Sequence, residues 1–211
     1  VCVVLPGLRV RDETGRPLTS PPSDWGLSAM FRDVNGDGLP DLYVCNDYFT
    51  PDRLWINQGK GIFRALAPPA LRKTCYAAMA VDFADINRDG YDDIFVTEML
   101  SRDHLRRNVQ HSLMELGPLP AFGWGWRMGE VIGPLQVMRN TLSLNRGDGT
   151  YAEIAQFSGV QASEWTWGVS FCDVDLDGYE DLLIANGHGR DLANSDALEE
   201  MDRLPKAVEP R

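Results

Sequence analysis

Apolar positions along this chain cluster in short runs, most of them four to seven residues long and rich in branched and aromatic side chains, bounded by Gly, Asn, Asp and Pro. Such runs predict β-strands. They fall at residues 27–32, 42–46, 54–57, 62–65, 79–84, 94–97, 142–145, 151–154, 168–172 and 182–186. The runs 42–46, 94–97 and 182–186 are apolar at nearly every position, as expected of inner strands covered on both faces. One stretch departs from this. After Ser101-Arg-Asp-His104, the residues Leu105, Val109, Leu113 and Leu116 recur near one face at helical spacing, predicting a four-turn amphipathic helix.

The strands repeat in order. Asp33 and Asp85 open equivalent turns 52 residues apart, and Asp173 opens a third 88 residues after Asp85. A hairpin, Asn57-Gln-Gly59-Lys-Gly61-Ile-Phe63, recurs as Asn145-Arg-Gly147-Asp-Gly149-Thr-Tyr151, and each hairpin aromatic precedes the next turn by 22 residues. The surplus of 36 residues in the second unit therefore lies in one connection, at about residues 98–138. Four strands every 50 or so residues predict an all-β fold, a β-propeller of four-stranded blades. The expected division is a half blade at 1–24, a blade at 25–76, a blade at 77–164 carrying the insertion 98–138, a half blade at 165–187, and a tail or linker at 188–211. In that register residues 1–5 and 8–11 are the third and fourth strands of a first half blade. Two full and two half blades would be an incomplete ring, the expectation for a fragment of a longer propeller.

Between the first and second strands of each unit stands an acidic nonapeptide: Asp33-Val-Asn35-Gly-Asp37-Gly38-Leu39-Pro-Asp41, Asp85-Ile-Asn87-Arg-Asp89-Gly90-Tyr91-Asp-Asp93 and Asp173-Val-Asp175-Leu-Asp177-Gly178-Tyr179-Glu-Asp181. Carboxylates this crowded repel one another unless a cation lies among them. Side chains at positions 1, 3 and 5 converge on one side of a tight turn, Gly at position 6 allows a positive φ, and position 7 offers its backbone carbonyl. The expected ligands are these three side chains, the carbonyls of Leu39, Tyr91 and Tyr179, and the Asp at position 9. An all-oxygen set favours Ca²⁺, up to three ions. An EF-hand is excluded, because position 12 is Val44, Val96 and Ile184 instead of Glu, and strands flank the loops.

Composition sharpens this reading. The net charge of -11 includes ten nominal ligand carboxylates, and three Ca²⁺ would leave about -5. The acidity is thus largely a metal-site signature and argues against a nucleic-acid partner. No apolar run is long enough to span a bilayer. Cys2, Cys45, Cys75 and Cys172 form no zinc motif, and Cys45 with Cys75 is the first disulfide pair to test. His104, His111 and His188 make no catalytic constellation, and no catalytic or organic-cofactor residues are read from the sequence. Trp25, Trp165 and Trp167 recur near the starts of blades, where packing is the favoured role. Phe122, Trp124 and Trp126 in the insertion either bind a glycan or protein partner, or cap the channel or pack under the helix.

The three D-x-[DN]-x-D-G-x-x-D loops and the N-x-G-x-G-x-[FY] hairpins resemble the FG-GAP (VCBS-type) repeats of propellers related in design to the integrin α-subunit head. The run from Arg139 to Glu153, followed by Trp165-Thr-Trp-Gly and Ala185-Asn-Gly-His188, resembles more narrowly the ASPIC/UnbV group, which includes cartilage acidic protein-like secreted proteins. The likeness covers about residues 25–189. It implies Ca²⁺ in the loops, extracellular or periplasmic placement, and a binding, adhesive or assembly role with a structural metal. Two departures are Asn at position 3 of the first two loops and the absence of the separate tail domain. The competing class is an enzyme of polysaccharide lyase or dehydratase type on the same scaffold; a structural subunit of a larger assembly is a third.

Overall fold

The computed structural model describes residues 8–19, 24–47, 50–108 and 135–187, together with Glu200 and Arg203. Its strands are β1 (Arg9–Arg11), β2 (Gly26–Arg32), β3 (Asp41–Asn46), β4 (Arg53–Asn57), β5 (Ile62–Ala65), β6 (Lys73–Cys75), β7 (Ala80–Ala84), β8 (Asp93–Thr97), β9 (Leu135–Val137), β10 (Thr141–Asn145), β11 (Tyr151–Glu153), β12 (Thr166–Cys172) and β13 (Asp181–Asn186), with one short helix, α1 (Pro68–Leu71). The fold is all-β, and among the described residues every strand expected from residue 27 onward is present.

Two sheets are blades. The first runs β2-β3-β4-β5 from its inner to its outer edge, and the second runs β7-β8-β10-β11. A third unit consists of the antiparallel pair β12 and β13. The first strands β2, β7 and β12 lie side by side in that order, the arrangement of propeller blades around an axis. None of the sheets closes on itself among the described residues.

Alternation along the strands explains the packing. Tyr43 and Cys45 of β3 meet Val81, Phe83, Ile94 and Val96 of the second blade, with Tyr43 and Phe83 edge to face at 6.1 Å. On the other side of that blade, Phe95 and Leu142 meet Val169, Phe171, Leu182 and Ile184 of the third unit. The middle blade is thus covered on both faces, and β8 is buried at all five positions. Trp55 and Phe63 of the first blade are buried on its other face, where Phe31 reaches the Phe63 ring.

Several expectations need correction. Arg9–Arg11 is a strand, and it pairs parallel to β5 as the outermost strand of the first blade's sheet, a pairing the repeat did not predict; the strand expected at residues 1–5 lies outside the described residues. Cys45, Cys75 and Cys172 are free thiols, so Cys45 and Cys75 are not bridged; each is fully buried, and the Cys75 thiol donates to the Arg139 carbonyl at 3.2 Å. The expected packing of tryptophans also fails for two of three. Trp25, just ahead of β2, is 64% exposed, and Trp167, at the register shift of the β12–β13 ladder, is 52% exposed. Trp167 stacks on Trp165 at 5.8 Å.

The insertion leaves and re-enters the second blade through two short features. Asp103 accepts the N–H groups of Leu105 and Arg106, capping a helical turn at residues 104–108. At its other end β9 pairs parallel with β6, a connection that the repeat pattern does not contain. The remainder of the expected helix, and Phe122, Trp124, Trp126 and His111, lie outside the described residues, as do Cys2 and His188. No helix among the described residues is long and apolar enough to cross a membrane.

Candidate metal centre

Each acidic turn links the first and second strands of a unit, and the three are built alike. In the first, Asp33 accepts the N–H groups of Gly36 and Asp37 on Oδ1, at 2.9 and 3.1 Å, and that of Gly38 on Oδ2 at 2.7 Å. Asp85 takes Asp89 and Gly90, and Asp173 takes Asp177 and Gly178, in the same way. Position 5 then accepts the N–H of position 7 in every loop, at 2.7 to 2.9 Å. Gly38, Gly90 and Gly178 have φ of +82°, +90° and +87°, the left-handed conformation for which position 6 requires glycine.

Position 3 separates the loops. Asn35 donates its amide hydrogen to Asp37 Oδ2 at 3.0 Å, and Asn87 does the same to Asp89 at 2.9 Å. An amide therefore neutralises part of the crowding there. Asp175 has no hydrogen to give. Asp173, Asp175 and Asp177 each place a carboxylate oxygen within 4.8 Å of the others, with Asp175 and Asp177 exposed. This donor set fits a hard divalent cation: three converging anionic oxygens on a preformed turn, with the Tyr179 carbonyl next in sequence. In the first two loops the carboxylates of positions 1 and 5 and the Asn oxygen offer a less charged version.

Position 9 has a second duty that its sequence spacing did not reveal. Asp41 accepts the N–H of Val34 on one oxygen and that of Asn57 on the other, at 3.1 and 2.7 Å. Asp93 likewise holds Ile86 and Asn145, at 3.2 and 2.8 Å. Both are fully buried, and burial raises both carboxyls, that of Asp93 to about 6. They tie the turn to the hairpin strand of the same blade. Asp181 keeps the bond to Val174 N–H at 3.0 Å but is exposed, with no hairpin strand beside it among the described residues.

The hairpins return the contact. Asn57 and Asn145 each accept the N–H of the glycine two residues on, and donate back to the loop at Pro40 and Asp92 carbonyls. The Tyr91 ring lies so close over Gly147 that a Cβ there would sit 2.6 Å from it. The Leu39 and Tyr91 side chains thus cover the hairpin glycines Gly59 and Gly147. Neighbouring loops also touch: the Arg88 guanidinium lies 3.7 Å from the centre of the Tyr179 ring and donates to the Gly178 carbonyl.

Blades of four antiparallel strands, side by side, with an acidic turn between the first and second strands, define a repeat propeller of the type that carries oxygen-rich loops. A family model described as an FG-GAP-like repeat matches residues 15–96 and 131–184. The chain belongs to the FG-GAP-like repeat family. No curated protein matches it.

Proposed function

We propose that the chain is an extracellular calcium-binding propeller segment serving as a binding, adhesion or assembly module, with the metal in a structural role. The observation that carries this reading is the convergence of Asp173, Asp175 and Asp177 on one exposed turn. Unscreened carboxylates at that separation repel, and a divalent cation relieves the repulsion while ordering the loop. The set Asp33, Asn35, Asp37, Leu39 and Asp41 and the set Asp85, Asn87, Asp89, Tyr91 and Asp93 are weaker sites of the same kind. Asp181 and the Tyr179 carbonyl complete the third set.

The ligand positions are occupied by the protein's own groups, which leaves the metal little room to polarise a substrate and favours binding over catalysis. The narrower likeness to the ASPIC/UnbV group and to the integrin head supports placement outside the cytoplasm. Recognition of a protein or glycan is assigned to the insertion, because a rigid blade scaffold commonly displays its specificity on connecting segments. Isothermal titration with CaCl₂ and thermal melts in Ca²⁺ or EDTA test the metal reading. Saturable binding with a higher melting temperature in Ca²⁺ supports it, and an identical melt with no binding heat refutes it.

A further inference from the structure

The residue just ahead of β4 is a buried acid that neither the acidic turns nor the hairpins use. Asp52 is 3% exposed. Its Oδ1 accepts the Asn46 N–H at 2.8 Å and its Oδ2 accepts the Tyr43 hydroxyl at 2.9 Å, both within the first blade. A third donor reaches it from β6, the backbone N–H of Cys75. The Cys75 thiol donates in turn to the Arg139 carbonyl, next to the second blade's β10, at 3.2 Å. Asp52 thus stands where the first blade, β6 and the second blade meet.

The repeat supplies a control for this position. Asp52 follows Asp41 by 11 residues and Asn140 follows Asp93 by 47, which is the same place once the surplus of 36 is removed. Asn140 Oδ1 accepts the Glu98 N–H at 2.7 Å, just as Asp52 accepts that of Asn46, and Asn46 and Glu98 are themselves equivalent, each five residues after its turn's last Asp. In the second blade an uncharged amide therefore makes the same clasp, and its Nδ2 donates to the Val160 carbonyl and Ser163 Oγ at 2.9 and 2.8 Å. The clasp needs an acceptor and not a charge. A hydroxyl accepts as well as donates, so the bond to Tyr43 survives a proton on Asp52 Oδ2.

A carboxylate here has no cation to offset its burial. Arg53, next in the chain, is held by Asp24, and Lys73 and Arg139 are held by Glu153. The titratable groups that face Asp52 are Tyr43 and Cys45 from β3 and Cys75 from β6; burial first, and then the charge of Asp52, pushes all three well up, which keeps them neutral. Burial also pushes the Asp52 carboxyl up to about 7, against the opposing hydrogen bonds from Asn46, Tyr43 and Cys75. We propose that Asp52 is a proton-operated latch between the first and second blades, tightest when its carboxyl is protonated and loosened when the proton leaves. A raised folded value means that the contribution is complete below the ordinary value of 3.8 and is lost as pH rises through the folded one.

The test compares the full chain with Asp52→Asn, the residue type that the second blade already uses at this place, by urea unfolding from about pH 5 to 8. The folding constant of the unaltered protein divided by that of the variant should fall as pH rises, by up to about tenfold per pH unit, and level off above about pH 7. Alkylation of the buried Cys45 and Cys75 thiols, read residue by residue by mass spectrometry, reports on the junction itself. Its rate relative to the variant at the same pH, a ratio that cancels the reagent's own pH dependence, should climb over the same interval. Parallel stability profiles, or a labelling ratio that stays flat, overturn the proposal. If Asp52→Asn does not fold, NMR titration of the Asp52 carboxyl carbon in the unaltered protein decides: a midpoint near 7 upholds the latch, and one at the ordinary value of 3.8 overturns it.

Discussion

The second and third acidic turns share nearly the same letters and sit in different surroundings. Asp93 is fully buried between Ile86 and Asn145 N–H groups, on a strand with no exposed position, whereas Asp181 is exposed on β13, whose pattern alternates between exposed and half-buried residues. Position 3 reinforces the contrast, since Asn87 donates its amide hydrogen to the Asp89 carboxylate, whereas Asp175 accepts the Asp177 N–H but sets a like charge beside the Asp177 carboxylate. The lesson is a division of labour. A turn enclosed by its blade is fixed by hydrogen bonds to the hairpin, and in the turn on the exposed pair the cation proposed above would take over that task.

The largest expected effect comes from removing the buried tie. Asp93→Ala orphans the buried Asn145 N–H and the half-buried Ile86 N–H and should cost about 2–6 kcal/mol in urea unfolding, at roughly 1–3 for each lost partner. Asp181→Ala in the exposed turn should cost under about 1 kcal/mol without metal. Equal losses would abolish the distinction between the two turns.

Close behind is the ion pair at the outer edge of the same blade. Arg139 donates to both oxygens of Glu153, with Lys73 at 3.9 Å, and both partners are nearly buried. Breaking it with Arg139→Met should cost about 3–5 kcal/mol. Burial pushes the Glu153 carboxyl up, but hydrogen bonds from Arg139 and the Ala155 N–H outweigh this and hold it below its ordinary value of 4.5. A lowered folded value means that the contribution is complete above that value and is lost as pH falls through the folded one. The stability gap between the protein and Glu153→Gln should therefore be widest at neutral pH and shrink below about pH 4. A gap that widens in acid would contradict the assignment.

A smaller effect separates two glycines of one hairpin. Gly147→Ala meets both a φ of +70° and the Tyr91 ring, whereas Gly149→Ala meets a φ of +81° in open space. Backbone strain alone costs about 1–2 kcal/mol, so Gly149→Ala should fall in that range and Gly147→Ala above it. Smallest of all, Arg88→Ala should cost roughly 0.5–1 kcal/mol, the scale of an exposed cation–π contact.

Much of the fold was legible because a 52-residue register repeats its own evidence: Asp33, Asp85 and Asp173 anchor the turns, and Asn57 and Asn145 anchor the hairpins. The role of Asp41 and Asp93 as hydrogen-bond acceptors was not, since an Asp that accepts backbone N–H groups and an Asp that holds a metal look alike in sequence. The parallel pairings of β1 with β5 and β6 with β9 have no local pattern, because each joins strands far apart in sequence with no connecting turn to mark them. Trp25 and Trp167 are assigned to packing by their recurrence at blade starts, and their exposure reverses that.

The dependence of the third turn on a cation is tested most directly by backbone amide hydrogen exchange in Ca²⁺ and in EDTA. Chelation should accelerate exchange at Asp177, Gly178 and Tyr179 far more than at Asp89, Gly90 and Tyr91. Exchange that is indifferent to Ca²⁺ in the third turn, or equally sensitive in both, would contradict it.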